Sequence, residues 1–253
     1  MTDARRLNEA RFSQTAGRYA RSGITERHAQ QEALLRLTAP EAHDRLLDVA
    51  CGPGALLAVY APRVRHAVGV DLTMAMLREA RARRDRGSIA LVRAEAERLP
   101  FADGTFSIVV TTWAVHHFGE PRRVLGEMAR VCRPGGRVAV GDLVGSEDDA
   151  KRARQNRIER LRDPAHVEVL SPSGLTALLA SCGLTPTGSA EGSQTRELGE
   201  WCAIAATPPD VSAGVRKLLL ESAAGDLAGM LPVSDGDVIR FQHRWAVIGS
   251  RKP

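Results

Sequence analysis

One stretch of the sequence combines an acid and two glycines at a spacing that suits nucleoside binding. Residues 45–54 run as an apolar strand into the pattern Asp48-x-x-x-Gly52-x-Gly54. Because glycine has no Cβ, the main chain at these two positions can approach a ligand closely. Seventeen residues after Gly54, a second apolar run ends on Asp71, where a carboxylate can accept both hydrogens of a ribose diol. The pattern predicts a nucleoside pocket.

The elements that must position these residues alternate regularly along the chain. Short apolar runs predict strands over 45–50, 66–71, 88–93, 106–112 and 137–143. Helical patterns lie between them, over 54–61, 73–85 and 121–132. Such alternation indicates a parallel sheet with right-handed crossovers. Since the carboxyl ends of parallel strands share one edge of the sheet, the glycine loop and Asp71 are expected to meet there.

The remaining segments are expected to complete one domain over residues 1–253. Residues 1–40 contain two helical stretches, which we interpret as a lid over a nucleoside-binding core at 41–145. Residues 146–182 are polar and helical in pattern, and they predict a helical cap insertion. Residues 183–253 then supply further helices and the last strands of the sheet.

Composition and length are ordinary for a soluble globular protein. Hydrophobic residues make up 43% of the 253 residues, and charged residues make up 26%. No apolar run approaches the roughly 20 residues that cross a bilayer, and the N-terminal segment lacks the apolar core of a signal peptide. We therefore expect a cytoplasmic protein without a membrane partner. The four cysteines lack a Cys-x-x-Cys spacing, so free thiols are expected.

The net charge of +5 raises the question of a nucleic-acid partner. Nearly all of the positive charge is arginine, with lysine only at Lys151, Lys217 and Lys252, and the arginines lie among acids. One dense basic run, residues 81–86, closes a predicted helix, where cations suit the negative end of the helix dipole. This distribution favours a solvated face, and no nucleic-acid partner is expected.

Two classes of cofactor use a strand, a glycine turn and a helix. A dinucleotide site requires Gly-x-Gly-x-x-Gly, in which the third glycine allows tight helix packing. Counting from Gly52, that third position is Leu57. The alternative pattern, Asp-x-x-x-Gly-x-Gly, is satisfied from Asp48 to Gly54. In this pattern Asp48 can act on an amino group of the ligand or on the amides of the loop itself.

Further motifs follow this loop in a consistent order. They are residues 69–72 with Met74 and Met76, 93–101, 103–107, 116–118, and 125–136, which ends in Pro134-Gly135-Gly136. With these motifs the sequence resembles the class I S-adenosylmethionine-dependent methyltransferases, and within them the ubiquinone/menaquinone C-methyltransferases. The likeness covers roughly residues 45–145. It implies an α/β, Rossmann-like fold with a seven-stranded, mostly parallel sheet, an antiparallel last strand, and a helical cap from the N-terminus and a late insertion.

The resemblance implies S-adenosyl-L-methionine as the cofactor and a set of contacts to its nucleoside. Asp71 would bind the ribose hydroxyls, and Leu72 and Met76 would flank the adenine. Glu95 stands where the family usually has Asp, and it would accept a hydrogen bond from the adenine exocyclic amine. Ala96 would offer its backbone amide to a ring nitrogen of the adenine.

The same resemblance assigns a second set of residues to the methionine end of the cofactor. Ala50, Gly52 and Gly54 would lie in the loop beside the methionine. Thr111, at the end of the fourth strand, would contribute main chain beside the methionine carbons. Tyr19 matches an aromatic residue of an N-terminal helix that closes over the cofactor.

Methyl transfer from a sulfonium is an in-line displacement that depends chiefly on positioning the acceptor. A general base contributes where the acceptor must lose a proton. The candidates are His116 and His117, which directly follow the fourth strand, and Tyr19 on the lid. Adjacent residues do not easily face one pocket, so we favour His116 as the base, with a structural role for the pair as the alternative. The two histidines lack the helical i, i+4 spacing of zinc ligands, and no metal site is expected.

Two tryptophans and one acid are further candidates for roles near the acceptor. Trp113 and Trp201 could form an apolar wall facing the acceptor, although core packing suits both of them. Asp163, which precedes Pro164, is typical of a residue that caps a loop.

The sequence therefore predicts a methyltransferase that acts on a small-molecule acceptor, aromatic or otherwise apolar, of the quinone or specialised-metabolite type. An RNA methyltransferase is the alternative raised by the basic charge, and a non-catalytic nucleoside-binding scaffold is a third interpretation. A nicotinamide-dependent dehydrogenase is disfavoured by Leu57. A homodimer is compatible with the sequence, which contains no specific signal for one.

Overall fold

The computed structural model of the protein describes residues 3–22, 28–82 and 89–253. At the centre of this described part lies one sheet of eight strands. The strands are β1 (Arg45–Val49), β2 (His66–Asp71), β3 (Ile89–Arg93), β4 (Phe106–Thr112), β5 (Cys132–Leu143), β6 (Thr185–Glu197), β7 (Val233–Asp235) and β8 (Val238–Arg251). Seven of them lie side by side in the order β3-β2-β1-β4-β5-β8-β6.

The strand directions match the expected arrangement. β1 pairs in parallel with β2 and β4, β2 pairs in parallel with β3, and β4 with β5. β8 runs antiparallel to both of its neighbours, β5 and β6. The seven-stranded, mostly parallel sheet with an antiparallel last strand is therefore confirmed. The short β7 adds a hairpin to one end of β8, which the sequence analysis did not indicate.

Helices connect and cover these strands. They are α1 (Asp3–Arg21), α2 (His28–Thr38), α3 (Ala55–Tyr60), α4 (Met74–Ala82), α5 (Pro121–Val131), α6 (Asp149–Arg162), α7 (Pro172–Ser181), α8 (Leu198–Ile204) and α9 (Pro209–Ala223). Residues 83–86 of the basic run that was predicted to close α4 lie outside the described residues. None of the described helices is both long enough and apolar enough to cross a lipid bilayer.

Alternating side chains of the central strands bury apolar groups on both faces of the sheet, as expected for parallel strands covered by helices. On one face, Leu46 of β1 packs in a cluster with Leu34 of α2 and Leu57 of α3. On the other face, Leu47 packs in a cluster with Leu125 of α5. Full burial of each such side chain contributes roughly 1.5–3 kcal/mol. The helix α2, which was predicted within the lid segment, thus lies in a helical layer of the core.

A third apolar cluster lies in a cap, beside the first half of β8, which extends beyond its pairing with β5. It joins Ile158 of α6, Trp201 of α8, Val215 of α9 and Phe241 of β8. α6 begins at Asp148, whose side chain accepts hydrogen bonds from two amides of the first turn and so satisfies donors that the helix leaves open. α7 contacts α5 and β6 instead. Of the predicted insertion, therefore, only α6 and the loop after it contribute to the cap.

The segment 133–136, predicted as a turn before a strand, lies inside β5. The pairing of β4 with β5 shifts register at this point, because Phe106 pairs with Cys132 whereas Ile108 pairs with Arg137. Such a bulge accommodates extra residues in one strand without ending its ladder. Gly135 has φ of +71°, which glycine adopts without strain. The turn-forming composition therefore produces a bulge here, since β4 continues to pair on both sides of it.

Candidate functional site

A deep cavity opens at the carboxyl ends of β1, β2 and β4, where the strand order reverses. It is lined by residues from the loops that follow these strands and from α1 and α2, namely Arg5, Asn8, Phe12, Tyr19, Gln30, Gln31, Ala50, Gly52, Asp71, Leu72, Met76, Glu95, Ala96, Trp113 and His117 among others. The empty space between the lining residues, with its open mouth, amounts to about 1320 Å³. This volume includes open solvent at the mouth, and the cavity is bordered both by loops that follow the strands and by helices α1 and α2.

In the glycine loop after β1, Gly52 lies at the cavity and Gly54 lies away from it. Ala50 and Gly52 line the cavity, and both have left-handed φ, of 56° and 51°. A Cβ built on Gly52 would meet nothing within 4 Å, so the space beside it is open for a ligand. Gly54 does not line the cavity, and a Cβ there would lie 2.9 Å from the Cβ of Ala80 in α4. The expected contact of Gly54 with the methionine part of a cofactor stays a prediction, and the close approach to Ala80 gives this glycine a packing role as well.

Asp71 at the end of β2 lies at the cavity wall and also holds the glycine loop. Its Oδ2 accepts a hydrogen bond from the Gly52 amide at 2.9 Å, and its Oδ1 accepts one from the Thr73 amide at 2.8 Å. Burial raises the pKa of Asp71, while these two amides lower it in part. Each carboxylate oxygen keeps a further lone pair, so the group can also accept hydrogen bonds from a ligand in the cavity.

Asp48 of β1 was expected to act on a ligand amino group or on the loop amides. In the structure it is buried beside the cavity without lining it. Neither of its carboxylate oxygens has a hydrogen-bond partner among the described residues. Burial raises the pKa of Asp48 well above its ordinary value, and the charge of Asp71 adds to the rise. The loop amides are bonded elsewhere, by Asp71 and by the Val70 carbonyl, so the expected role of Asp48 as their acceptor is wrong.

The residues expected around an adenine lie together on one side of the cavity. Leu72 and Met76 line it after β2, and Glu95 and Ala96 line it after β3. Glu95 also forms an ion pair with Arg5 of α1, with 2.5 Å between Oε2 and Nη1. The resemblance did not indicate this partner. It ties the first turns of α1 to the rim of the cavity.

Thr111 does not reach the cavity. It is fully buried, and its Oγ1 donates a hydrogen bond to the Val49 carbonyl at 2.7 Å. The next two residues, Thr112 and Trp113, line the cavity instead. The side chain of Thr111 is thus held within the sheet, and the expected main-chain contact of Thr111 with the methionine carbons stays a prediction. Trp113, a candidate wall residue, has a left-handed φ of 53°, which a bulky side chain adopts only under constraint.

The helix α1 contributes an aromatic surface to the cavity. Tyr19 lines it as expected, and Phe12 lines it beside Tyr19, with the two rings edge to face at 5.7 Å between centroids. Trp201, the other candidate wall residue, is buried in the cap. Phe12 lies outside residues 45–145, which carry the family resemblance, and the sequence did not single it out as a site residue.

Gln30 of α2 is a lining residue that the sequence did not single out. Only 2% of its surface is exposed, and its Nε2 has no partner among the described residues. The amide lies over Gly141 of β5, where a Cβ would be 3.2 Å from its Cδ. A buried amide without a partner costs free energy unless a ligand satisfies it, on the order of 1–3 kcal/mol. Its position depends on how α2 packs across the sheet, which no local motif encodes.

His116, the favoured base, does not line the cavity. Its Nδ1 lies 2.6 Å from Oδ1 of Asp142 at the end of β5, and its backbone amide donates to Oδ2 of the same carboxylate at 2.9 Å. Its carbonyl accepts from the amide of Val167 in the cap loop at 2.8 Å. This neighbourhood gives His116 the structural role that was the alternative. The preference for His116 over His117 as the cavity residue is wrong.

His117 lines the cavity. Its Nδ1 lies 2.9 Å from the Ala165 carbonyl oxygen, which can only accept, so Nδ1 carries the proton. Nε2 is then the acceptor atom of the neutral ring. Burial, followed by the charge of His116, lowers the pKa of His117 to about 4. Around neutral pH this ring is therefore uncharged and able to accept a proton at Nε2.

Comparisons with known proteins agree with this geometry. The profile of the family described as Methyltransferase domain matches residues 47–140. The chain is 29% identical over 206 residues to YcgJ of Bacillus subtilis, an uncharacterised methyltransferase. The aligned region covers 80% of this chain and 81% of YcgJ. It is 38% identical to the ubiquinone/menaquinone biosynthesis C-methyltransferase UbiE of Roseobacter denitrificans, over 44% of this chain and 46% of that enzyme. The chain thus aligns with just under half the length of UbiE.

Solved structures share the fold over most of the chain. A structure from Bacillus halodurans, described as that of a candidate methyltransferase, superposes with a TM-score of 0.84 at 27% identity and covers 89% of this chain and 99% of that one. The crystal structure of YcgJ gives a TM-score of 0.84 at 25% identity and covers 89% and 98%. The dehydrogenase interpretation is excluded by these matches. Residues 47–140 thus match a methyltransferase domain, and the chain has the Rossmann-like fold of the class I S-adenosylmethionine-dependent methyltransferases.

Proposed function

We propose that this enzyme transfers a methyl group from S-adenosylmethionine to a small aromatic or apolar acceptor held between α1 and the end of β4. One observation supports this most strongly. The same cavity is lined by Gly52, Asp71 and Glu95, which suit a nucleoside, and by aromatic side chains with a neutral histidine. Such a cavity suits two ligands bound together.

The described residues fit the cofactor at the nucleoside end. Asp71 can accept from the two ribose hydroxyls, since both oxygens keep lone pairs after bonding Gly52 and Thr73. Leu72 and Met76 offer apolar contacts to the adenine, and Glu95 offers an acceptor for its amine. Gly52 leaves open space for the methionine portion. The acids lie at the nucleoside side or below the loop, where they do not stabilise the sulfonium more than the transition state.

When bound, the cofactor supplies an electrophilic methyl group whose carbon–sulfur bond breaks as the bond to the acceptor forms. The protein must then hold the acceptor in line and take up any proton that it loses. Phe12, Tyr19 and Trp113 form an apolar wall for that positioning. His117 accepts the proton at Nε2 while Ala165 retains the hydrogen bond to Nδ1. Tyr19, which lines the same cavity, is the second candidate for the base.

The aromatic wall favours a ring-bearing acceptor over a nucleic acid. A flat apolar ring gains offset or edge-to-face contacts with Phe12 and Tyr19. The printed name of UbiE, a quinone-biosynthesis C-methyltransferase, supports a quinone-type ring as one acceptor class. The cavity rim has an acid at Glu95 and another at Glu97, which disfavours a phosphate backbone there.

Cofactor binding tests the first half of this proposal. Isothermal titration with S-adenosylmethionine and with S-adenosylhomocysteine should give binding to the wild-type protein. Asp71→Ala should weaken it at least about tenfold, because a hydrogen bond to a charged group contributes about 1.5–3 kcal/mol. Glu221→Ala, at an exposed position on α9, is the matched control and should bind normally. Equal affinity in Asp71→Ala would contradict the assigned ribose contact.

Methyl transfer tests the second half. The protein should be incubated with the methyl-labelled cofactor and a panel of phenols, hydroquinones and other ring compounds, with bulk RNA as a separate arm. Transfer to one or more ring compounds is expected. Labelling of RNA alone, with a strong dependence on salt, would favour the RNA methyltransferase instead. Cofactor binding without transfer to any arm would favour a non-catalytic scaffold.

A further inference from the structure

The hydrogen bond that orients His117 comes from the cap, where residues 163–166 form a tight turn. Ala165, whose carbonyl accepts from Nδ1 of His117, has its own amide bonded to Oδ1 of Asp163 at 3.0 Å. The amide of His166 donates to the Asp163 carbonyl at 2.9 Å. Asp163 thus uses both its side chain and its main chain to shape the turn that presents the Ala165 carbonyl. The loop-capping role that the sequence suggested has a position directly behind His117.

The carboxylate of Asp163 also binds α1. Nε of Arg11 donates to Oδ1 of Asp163 at 3.1 Å, and the Asp163 side chain is fully buried. The neighbouring residues of α1 contact the histidine itself. Phe12 lies edge-on to the His117 ring at 5.0 Å between centroids, and Asn8 donates to the His117 carbonyl at 2.7 Å. One face of α1 therefore contacts both His117 and Asp163, the acid that shapes the turn carrying the Ala165 carbonyl.

We propose that Asp163 is a positioning residue that couples the seating of α1 over the cavity to the orientation and protonation of His117. When Arg11 bonds Asp163, the turn is held, the Ala165 carbonyl keeps the proton on Nδ1, and Nε2 stays the acceptor. When α1 lifts, Asp163 loses a charged partner and the turn loses one of its restraints. The base is thus fully oriented only when the helix covers the cavity. This inference rests on the proposed function in taking His117 as the base.

The charges around His117 come from several elements. His116 lies on the same turn, Asp142 on β5, and Asp163 and His166 on the cap loop. Burial and His116 lower the pKa of His117, whereas the charges of Asp163 and Asp142 raise it. Burial also acts to raise the pKa of Asp163, but the neighbouring positive charges outweigh this and hold the pKa below its ordinary value. Asp163 is therefore ionised, and its charge favours proton uptake by His117.

A second cation keeps a positive charge beside Asp163 when Arg11 is changed. Nη2 of Arg162 lies 3.6 Å from Oδ2 of Asp163. The Arg162 guanidinium also stacks on Trp201 at 4.3 Å and donates to the Trp201 carbonyl at 3.3 Å. Because Arg162 is anchored in the cap, a change at Arg11 removes the contact to α1 while Asp163 keeps a charged neighbour. The Arg11 variants therefore separate the coupling from the folding of the cap.

The test measures the tautomer and the pKa of the His117 ring by NMR. The full-length protein, labelled with ¹⁵N in histidine, should be titrated by NMR, with and without S-adenosylhomocysteine, in four variants. Asp163→Asn keeps an oxygen for the Ala165 amide and removes the charge. Arg11→Gln removes the cation, and Arg11→Lys retains it. Arg18→Gln is the matched control, because Arg18 anchors α1 elsewhere, at the Ala203 carbonyl.

Asp163→Asn should lower the pKa of His117 below the wild-type value and move the acidic limb of the kcat profile in the same direction. Arg11→Gln should mix the two ring tautomers and reduce kcat by between about 10- and 100-fold, below the full contribution of about 10²–10⁴ from a general base. Arg11→Lys should restore much of the wild-type tautomer and of kcat, and Arg18→Gln should change neither the tautomer nor kcat. A merely structural role would lower the melting temperature without moving the tautomer or the pH profile.

Unchanged His117 tautomer and pKa in both Asp163→Asn and Arg11→Gln would overturn the coupling, even with methyl transfer intact. An unchanged kcat in His117→Asn would instead overturn the base assignment and with it the catalytic part of the inference. Absence of transfer by the wild-type protein to any acceptor would overturn the proposed function. The NMR signals report on the coupling in every one of these cases.

Discussion

The two glycines of the loop show that identical residue types in one motif can serve different physical purposes. Gly52 has open space beside it and faces the cavity, whereas a Cβ added at Gly54 would lie 2.9 Å from the Cβ of Ala80. Both have left-handed φ, so alanine is strained at either position. The difference between them lies in what the added methyl group would meet.

We expect Gly54→Ala to destabilise the protein more than Gly52→Ala, and Gly52→Ala to weaken cofactor binding more than Gly54→Ala. Backbone strain costs roughly 1–3 kcal/mol at either site, and only at Gly54 does overpacking against Ala80 add to it. Urea denaturation measures the first effect, and calorimetric titration of S-adenosylmethionine measures the second. Equal stability loss in both variants, with equal affinity, would contradict this division of roles.

His116 and His117 are likewise expected to have different roles, one in stability and one in catalysis. His117→Asn should reduce kcat by about 10²–10⁴ for an acceptor that must lose a proton, with the cofactor Kd unchanged. His116→Asn should act mainly on stability, because it removes the ring contact to the buried Asp142. Single-turnover kinetics and thermal melts on the two variants distinguish these effects. A larger kcat loss in His116→Asn than in His117→Asn would return the base to the position that the sequence favoured.

At the scale of single residues, the sequence predicts which residues lie near the site better than it predicts the direction in which each side chain points. The acid at 71 could be placed because it ends a strand at a known distance from the glycine turn. The choice between His116 and His117 could not be made, because it depends on the short 3₁₀ turn Val115–His117 and on Asp142, which lies on another strand. The orientation of the Thr111 side chain likewise depends on another strand, since its hydroxyl bonds the Val49 carbonyl of β1.

Two ion pairs fasten the first turns of α1 to the rim of the core. Arg5 pairs with Glu95 at 2.5 Å, and Glu9 pairs with Arg93 at 2.6 Å. The Arg93 side chain is held in turn by the Leu72 carbonyl at 3.0 Å, beside the expected adenine position. Because both pairs are partly exposed, they should be weak and sensitive to salt.

The double variant Arg5→Gln/Glu9→Gln should open α1 more often than the wild type does. The two pairs together should contribute between about 0.4 and 2 kcal/mol to its closure. Hydrogen exchange of the α1 amides, measured from about 0.05 to about 0.5 M salt, provides the test. Wild-type protection should fall with salt, and protection in the double variant should be lower and nearly independent of salt. Arg18→Gln, whose hydrogen bond involves no second charge, should keep the wild-type salt dependence.

Elements were predictable where local pattern and burial agree. The strands of the parallel core and the helices between them lie within a few residues of their predicted positions, because each carries its own apolar period. The division between lid, core and cap required tertiary contacts. α2 and α7 carry apolar faces that suit a lid or a helical layer equally, and their neighbours on the sheet decide between the two.

At the scale of the whole molecule, the cap concentrates buried ionisable groups next to the site. His243 of β8 lies 3.0 Å from Glu159 of α6, and His166 bonds Asn156 at 2.9 Å through Nε2. Burial lowers the pKa of His243 to about 4 and that of His166 to about 3. With His117, three histidines are therefore held neutral in the fold at pH values where an unfolded chain would protonate them.

The sign of the effect on stability follows from proton linkage. Between the folded pKa values, about 3–4, and the unfolded value of 6.5, the unfolded state binds more protons than the folded state, so the free energy of unfolding rises with pH. The carboxyls of Glu159 and Asp163, whose pKa values are lowered in the fold, act in the same direction at the acidic end of this window, because the unfolded chain protonates them first. Asp48, whose pKa is raised, acts in the opposite direction within it.

We therefore expect the free energy of unfolding to fall on acidification from about pH 6.5 to about pH 4.5, by at most about 1.4 kcal/mol per pH unit for each of the three histidines. His243→Gln should make this slope shallower by up to one such contribution, while Asp48 acts equally in both proteins and cancels from the comparison. Urea titrations of the wild type and of His243→Gln at several pH values measure the difference. Parallel slopes would mean that His243 is protonated in the folded cap, as an ion pair with Glu159, and that its burial does not outweigh that charge.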